Sequence, residues 1–122
     1  MKKSKGQIEA EISAAVAKFE KEYMGRGPLE TKTYIIDDLI LVRLKQVLTQ
    51  AEIQLAAGPG NPKGRELVKR IRVALLEKGR PLLQSAIEEI SGCKVQSLHT
   101  DISTVTGERI LLFTLQSRPE FD

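Results

Sequence analysis

Apolar residues recur along this chain with two periods, and the switches between them mark out its elements. Between Lys5 and Met24 they fall at Ile8, Ile12, Val16, Phe19 and Tyr23, the three-to-four-residue spacing of a helix with one buried face. Ser4 offers an N-cap oxygen and Gly25 a left-handed stop. Glu30–Ile36 and Leu39–Val47 are instead rich in β-branched and aliphatic residues around Asp37-Asp38. That predicts a hairpin with a two-residue turn. Thr49 and Glu52 have capping-box spacing, so a short helix through Ala57 follows. Gly58-Pro59-Gly60-Asn61-Pro62-Lys63-Gly64 is the clearest loop and is expected to be the most mobile segment.

The longest helical pattern is Gly64–Ser91. Its apolar residues sit first at Leu67, Val68, Ile71, Ala74 and Leu75, then at Leu82, Leu83, Ala86, Ile87 and Ile90. At about 100° per residue the second set is rotated roughly a quarter turn from the first. Lys78-Gly79-Arg80-Pro81 lies at the change. The pattern predicts one helix kinked at Pro81, with two helices broken near Gly79 as the alternative. After Gly92, Lys94–Ile102 and Glu108–Leu115 predict a second hairpin, and the tail from Gln116 to Asp122 is expected to fray.

Each long helix thus ends at a glycine, and each glycine is followed by a hairpin. The fold class expected is α+β: a repeated α-β-β unit forming a four-stranded antiparallel sheet with the two long helices on one face. The whole chain reads as one domain, with repeats at 5–47 and 64–115, a short helix and loop at 49–63, and the tail at 116–122. Two of the strands are apolar on both sides. Ile40, Val42 and Leu44 alternate with Leu39 and Leu41, and Leu111, Phe113 and Leu115 alternate with Ile110 and Leu112. A sheet solvated on one face alternates apolar with polar, so the second face is expected to be covered, most simply in a two-fold homodimer.

Composition narrows the function classes. With 122 residues, 41% hydrophobic and 29% charged, the chain suits a globular domain with a modest core. A net charge of +3 permits an anionic partner without requiring one. The single Cys93 excludes an internal disulfide and a cysteine zinc site. It lies after a glycine turn with no base nearby and is expected to be inert. No apolar run approaches the roughly 18 residues of a membrane span, and the basic N-terminus runs into glutamates instead of an apolar signal core. A cytoplasmic location is expected.

Candidate chemistry is sparse. His99 and Asp101 share a strand face beside Ser97, a pairing that can set a histidine's tautomer, though residues two apart on a strand lie side by side and a polar outer strand face is the simpler explanation. Arg26 lies between Gly25 and Gly27, where a backbone nest for an anion or a plain helix stop would both fit. Arg43 and Arg109 are the strand arginines available to a ligand or partner. Arg65, Lys69 and Arg72 share a helix face that suits phosphate contacts, but intervening glutamates make it read as a solvated face. With aromatics at 4% of the chain, no nucleic-acid partner is expected. No metal or other cofactor is expected either.

The run from Tyr23 through Ala56, followed by Gly64 through Leu115, resembles the MpsC family of small bacterial proteins. The residues that carry the resemblance are Gly25-Arg26-Gly27-Pro28, Leu48-Thr49 with Ala51-Glu52, Gly64-Arg65, Asp101-Ile102-Ser103 and Thr106-Gly107-Glu108. The resemblance implies an accessory factor of a sodium-translocating, membrane-potential-generating system, with membrane transporter subunits as partners. It implies no catalytic residues. The reading is a non-enzymatic interaction protein, peripheral to the membrane through its partners. The alternatives are a small anionic-ligand-binding or catalytic domain using Arg43, His99, Asp101 and Arg109, and a nucleic-acid-binding module.

Overall fold

The computed structural model describes residues 2–60 and 62–122. They form helix α1 (Lys5–Met24), strands β1 (Glu30–Ile36) and β2 (Leu39–Lys45), helices α2 (Gln50–Ala56) and α3 (Pro62–Ser91), and strands β3 (Val95–Ile102) and β4 (Arg109–Leu115). The strands make one antiparallel sheet in the order β1-β2-β4-β3, so each hairpin supplies one central and one edge strand. The fold is α+β, with α1 and α3 on one face of the sheet, as the repeated unit predicts.

Local chemistry accounts for the elements. Ser4 and Gln7 close a reciprocal cap on α1: Gln7 N donates to Ser4 Oγ at 3.1 Å and Ser4 N to Gln7 Oε1 at 2.8 Å. Thr49 and Glu52 do the same for α2. Gly25 (φ 90°) and Gly92 (φ 73°) end the two long helices in the left-handed region, where glycine alone is unstrained. The first hairpin turns through Asp37, also left-handed, as a two-residue loop requires.

Helix α3 runs unbroken through Pro81. Its buried residues are spaced mostly by four, from Gly64, Val68, Arg72 and Leu76 to Gly79, Leu83 and Ile87. A step of four turns about 40° past a full rotation, which is why the apolar stripe drifts along the helix without breaking it. Gly79 is no breaker. A Cβ there would lie 2.6 and 2.7 Å from ring carbons of Phe19, so the missing side chain lets α1 and α3 approach. Phe19 itself stacks on Tyr23, with ring centroids 4.9 Å apart.

The helix-facing side of the sheet holds Ile40, Val42 and Leu44 from β2 with Leu111, Phe113 and Leu115 from β4, all buried against Ile12, Val16, Leu83 and Ile87. Three expectations need correction. Tyr23, placed on the buried stripe of α1, is exposed, and Glu20 is buried in its stead. The tail does not fray: Pro119 is buried, and Asp122 N donates to Lys3 O at 3.1 Å, tying the C-terminus to the start of α1. Helix α3 starts at Pro62, two residues earlier than its periodicity shows, because proline suits a first helical turn. Of the expected mobile loop, Asn61 lies outside the described residues.

Candidate functional site: the open face of the sheet

The strand register arranges the face away from the helices in three rows. One runs Lys32, Arg43, Ile110, Asp101; the next Tyr34, Leu41, Leu112, His99; the third Ile36, Leu39, Thr114, Ser97. Tyr34 and Ile36 are 44% and 52% exposed, and Leu39, Leu41, Ile110 and Leu112 are half-buried by their neighbours alone. The alternation that buries Val42 and Leu111 under the helices therefore turns leucine and isoleucine outward as well. An apolar centre two rows deep is left without a cover in this chain.

Charges gather at one end of that face. Arg43 Nε donates to Glu108 Oε2 at 2.5 Å, and Glu30 lies 3.6 Å from Lys32 and 3.5 Å from Lys45. The hydrogen bond from Arg43 to Glu108 holds that guanidinium above its ordinary range. A depression of about 310 Å³ here is lined by Arg43, Lys45, Gln46, Thr106 and Glu108, at the lower end of ligand-site volumes.

Three of the five candidate residues share this face and two do not. His99 Nε2 meets Ser97 Oγ at 3.3 Å. Asp101 turns to Lys69 at 3.6 Å and to its neighbour's amide, Ile102 N, at 2.8 Å. His99 and Asp101 thus lie side by side with separate partners, the arrangement of a polar strand edge. Arg26 donates to Leu48 O at 2.9 Å, pinning the end of α1 to the approach to α2. Arg109 points to the opposite side, under the helices, and is 2% exposed.

There it joins a group that periodicity does not reveal. Arg72, expected on a solvated face, is fully buried. It donates to Glu52 Oε2 at 2.9 Å and Oε1 at 2.6 Å, to Glu20 Oε1 at 3.1 Å and to Val47 O at 2.6 Å. Arg109 NH1 lies 3.7 Å from Glu20 Oε2. Two arginines and two glutamates from α1, α2, α3 and β4 so balance charge inside the protein. Burial pushes the Glu20 carboxyl up from its ordinary value, against the pull of Arg109 and Arg72. Burial acts the same way on Glu52, but hydrogen bonds from Arg72 and Thr49 outweigh it and hold that carboxyl low. Burial lowers Arg109. The available signal was positional: Arg72 falls midway between buried Val68 and Leu76, at steps of four. The quartet fastens α2 to both long helices and is a structural device.

Among the described residues no three His, Cys, Asp or Glu side chains converge on a metal-sized site. No helix among them is long and apolar enough to cross a membrane.

Fold and face together define a two-layer α+β protein built from a duplicated α-β-β unit, with one sheet face covered and one bare. The chain belongs to the MpsC family: the family model described as the Na+-translocating membrane potential-generating system (MpsC) matches residues 4–117. It is similar to the uncharacterized protein YbcI of Bacillus subtilis (strain 168), 46% identical over 115 residues that cover 94% of this chain and 90% of YbcI. It is also similar to the uncharacterized protein YrhF of the same organism, 26% identical over 112 residues that cover 88% of this chain and 87% of YrhF. No solved structure matches the chain.

Proposed function

We propose that this chain is a non-enzymatic accessory protein of a sodium-translocating, membrane-potential-generating system. In this reading it is a cytoplasmic homodimer, peripheral to the membrane through its partners, that works by protein contact. The observation that carries the reading is the open face, where Tyr34, Leu41 and Leu112 form an apolar row across three adjacent strands. Exposed apolar patches of this kind mark contact surfaces. The family's description supplies the system. The polar groups around the patch are matched to one another within the chain, which favours a contact surface over a ligand site.

The test is co-purification from a bacterium that carries the chain and the membrane subunits of such a system. Those subunits are expected to accompany the wild-type chain and Val73→Glu, a change at an exposed residue of α3. They are expected to be lost from Leu41→Glu. Equal recovery with both variants contradicts the reading.

A further inference from the structure

The strand register narrows how two copies meet. Leu39 pairs with Thr114, Leu41 with Leu112 and Arg43 with Ile110, so a half-turn about the Leu41–Leu112 pair exchanges β2 with β4 and β1 with β3. The backbone of the open face is therefore close to two-fold symmetric about its own normal. Two such sheets face to face have two candidate dimer axes in the interface, one along the strands and one across them, and the backbone makes these nearly equivalent. Side chains break the tie. An axis across the strands lays Lys32 over Ile36 and Arg43 over Leu39, with Asp101 over Ser97, which desolvates two charges per copy against hydrocarbon, whereas an axis along the strands does so only for Arg43, over Ile110. An axis along the strands keeps every row on itself and reverses the strand order. Leu41 then faces Leu112 of the second copy, Tyr34 faces His99, and Lys32 faces Asp101.

We infer that the open face is closed by a second copy of this chain about a two-fold axis parallel to the strands, with Lys32 of each copy meeting Asp101 of the other. This inference rests on the contact-surface reading and adds the occupant's geometry. Charge favours a second copy as occupant. The charged end carries Lys32, Arg43 and Lys45 against Glu30, Asp101 and Glu108, three of each sign, so it is neutral toward its own kind and gives an anionic surface no net attraction. Aligned sheets pack about 10 Å apart at roughly 30°, close enough for the opposed rows to meet near the axis. Size bounds the strength. Four strands of about seven residues, at about 4.8 Å spacing and 3.3 Å rise, give a footprint on the order of 400 Å² per copy. The total of about 800 Å² is below a standard interface, so the pair is a weak, reversible one.

Sedimentation equilibrium from about 1 to 100 micromolar tests it on four full-length chains: wild type, Lys32→Glu, Asp101→Lys and the double reversal. The wild type is expected to approach twice its 13.6 kDa. Each single reversal puts like charges opposite each other at two symmetric places and is expected to weaken association roughly tenfold. The double reversal is expected to recover most of that loss. Both residues are exposed, so the fold tolerates the changes, and the lost intrachain pairs with Glu30 and Lys69 alter stability without altering mass. A double reversal no tighter than the single changes overturns the axis. A wild-type chain that stays monomeric at the top concentration overturns the dimer. If Leu41→Glu still abolishes co-purification in that case, the contact-surface reading stands without it.

Discussion

The two faces of the sheet invert the expected placement of polar and apolar groups. The covered face carries Arg109 among its apolar residues, and the helices packed on it add Glu20 and Arg72, all three buried, with Arg72 and Glu20 0% exposed. The bare face presents Tyr34, Ile36, Leu41 and Leu112 to solvent. The difference lies in where each set finds its partners. Buried charge is tolerable only when matched, and within the chain Glu20, Glu52, Arg72 and Arg109 balance two against two in charge, though Glu20 Oε2 and Arg109 Nε and NH1 make no hydrogen bond among the described residues. The apolar face has no such partner in its own chain. The interior balances its charge, while the exterior leaves an apolar face open.

The largest expected effect comes from breaking the internal balance. Glu20→Ala leaves Arg72 and Arg109 sharing the half-buried Glu52, and removing one member of a buried ion group costs about 3–5 kcal/mol. Urea unfolding followed by circular dichroism measures it. A loss below about 1 kcal/mol would show that the quartet adds little to the packing of α1. Next is Gly79→Ala. Alanine gains roughly 1 kcal/mol of helix propensity, but its Cβ meets the buried, stacked ring of Phe19, and overpacking costs about 1–3 kcal/mol. A net loss is expected, and it should shrink in a Phe19→Leu background.

The pH dependence of stability separates the two glutamates. Glu20 binds its proton more tightly folded than unfolded, because burial raises its pKa from an ordinary 4.5. Its contribution is full below that value and falls as pH rises from there to the raised folded pKa. Glu52 has the opposite sign: its contribution is present above 4.5 and is lost as pH falls through its lowered folded pKa. Together they place a maximum near pH 4.5, and Glu20→Gln is expected to remove the descending limb while leaving the ascending one. An unchanged descending limb would assign it to other groups. The smallest effect on the isolated chain is expected on the open face. Leu41→Ser should change monomer stability by only about 0.5 kcal/mol, measured below the dimer's dissociation range, while abolishing association above it.

What was legible in the sequence was local. The apolar periodicities, the N-cap at Ser4, the capping box at Thr49 and Glu52 and the glycines at 25 and 92 each act within a few residues, and they suffice for the helices, the hairpins and the sheet. The two-sided apolar pattern of β2 and β4 likewise announced the bare face. The quartet was not legible, because its pairs join residues 52 and 20 positions apart. An arginine or glutamate carries no mark of burial until its partner is placed. The role of Gly79 was not legible for the same reason: its cause is a phenylalanine on another helix. The tail gave no periodic signal because it is held by single contacts at Lys3 and Lys94.

Hydroxyl-radical footprinting across a range of protein concentrations tests most directly whether the bare face is covered in solution. Tyr34, Leu41 and Leu112 on the sheet should become protected as concentration rises through the micromolar range. Leu67 and Val73, exposed apolar residues of α3, should label equally throughout. Labelling of Tyr34, Leu41 and Leu112 that does not change with concentration, in a chain that sediments as a monomer, would contradict the account.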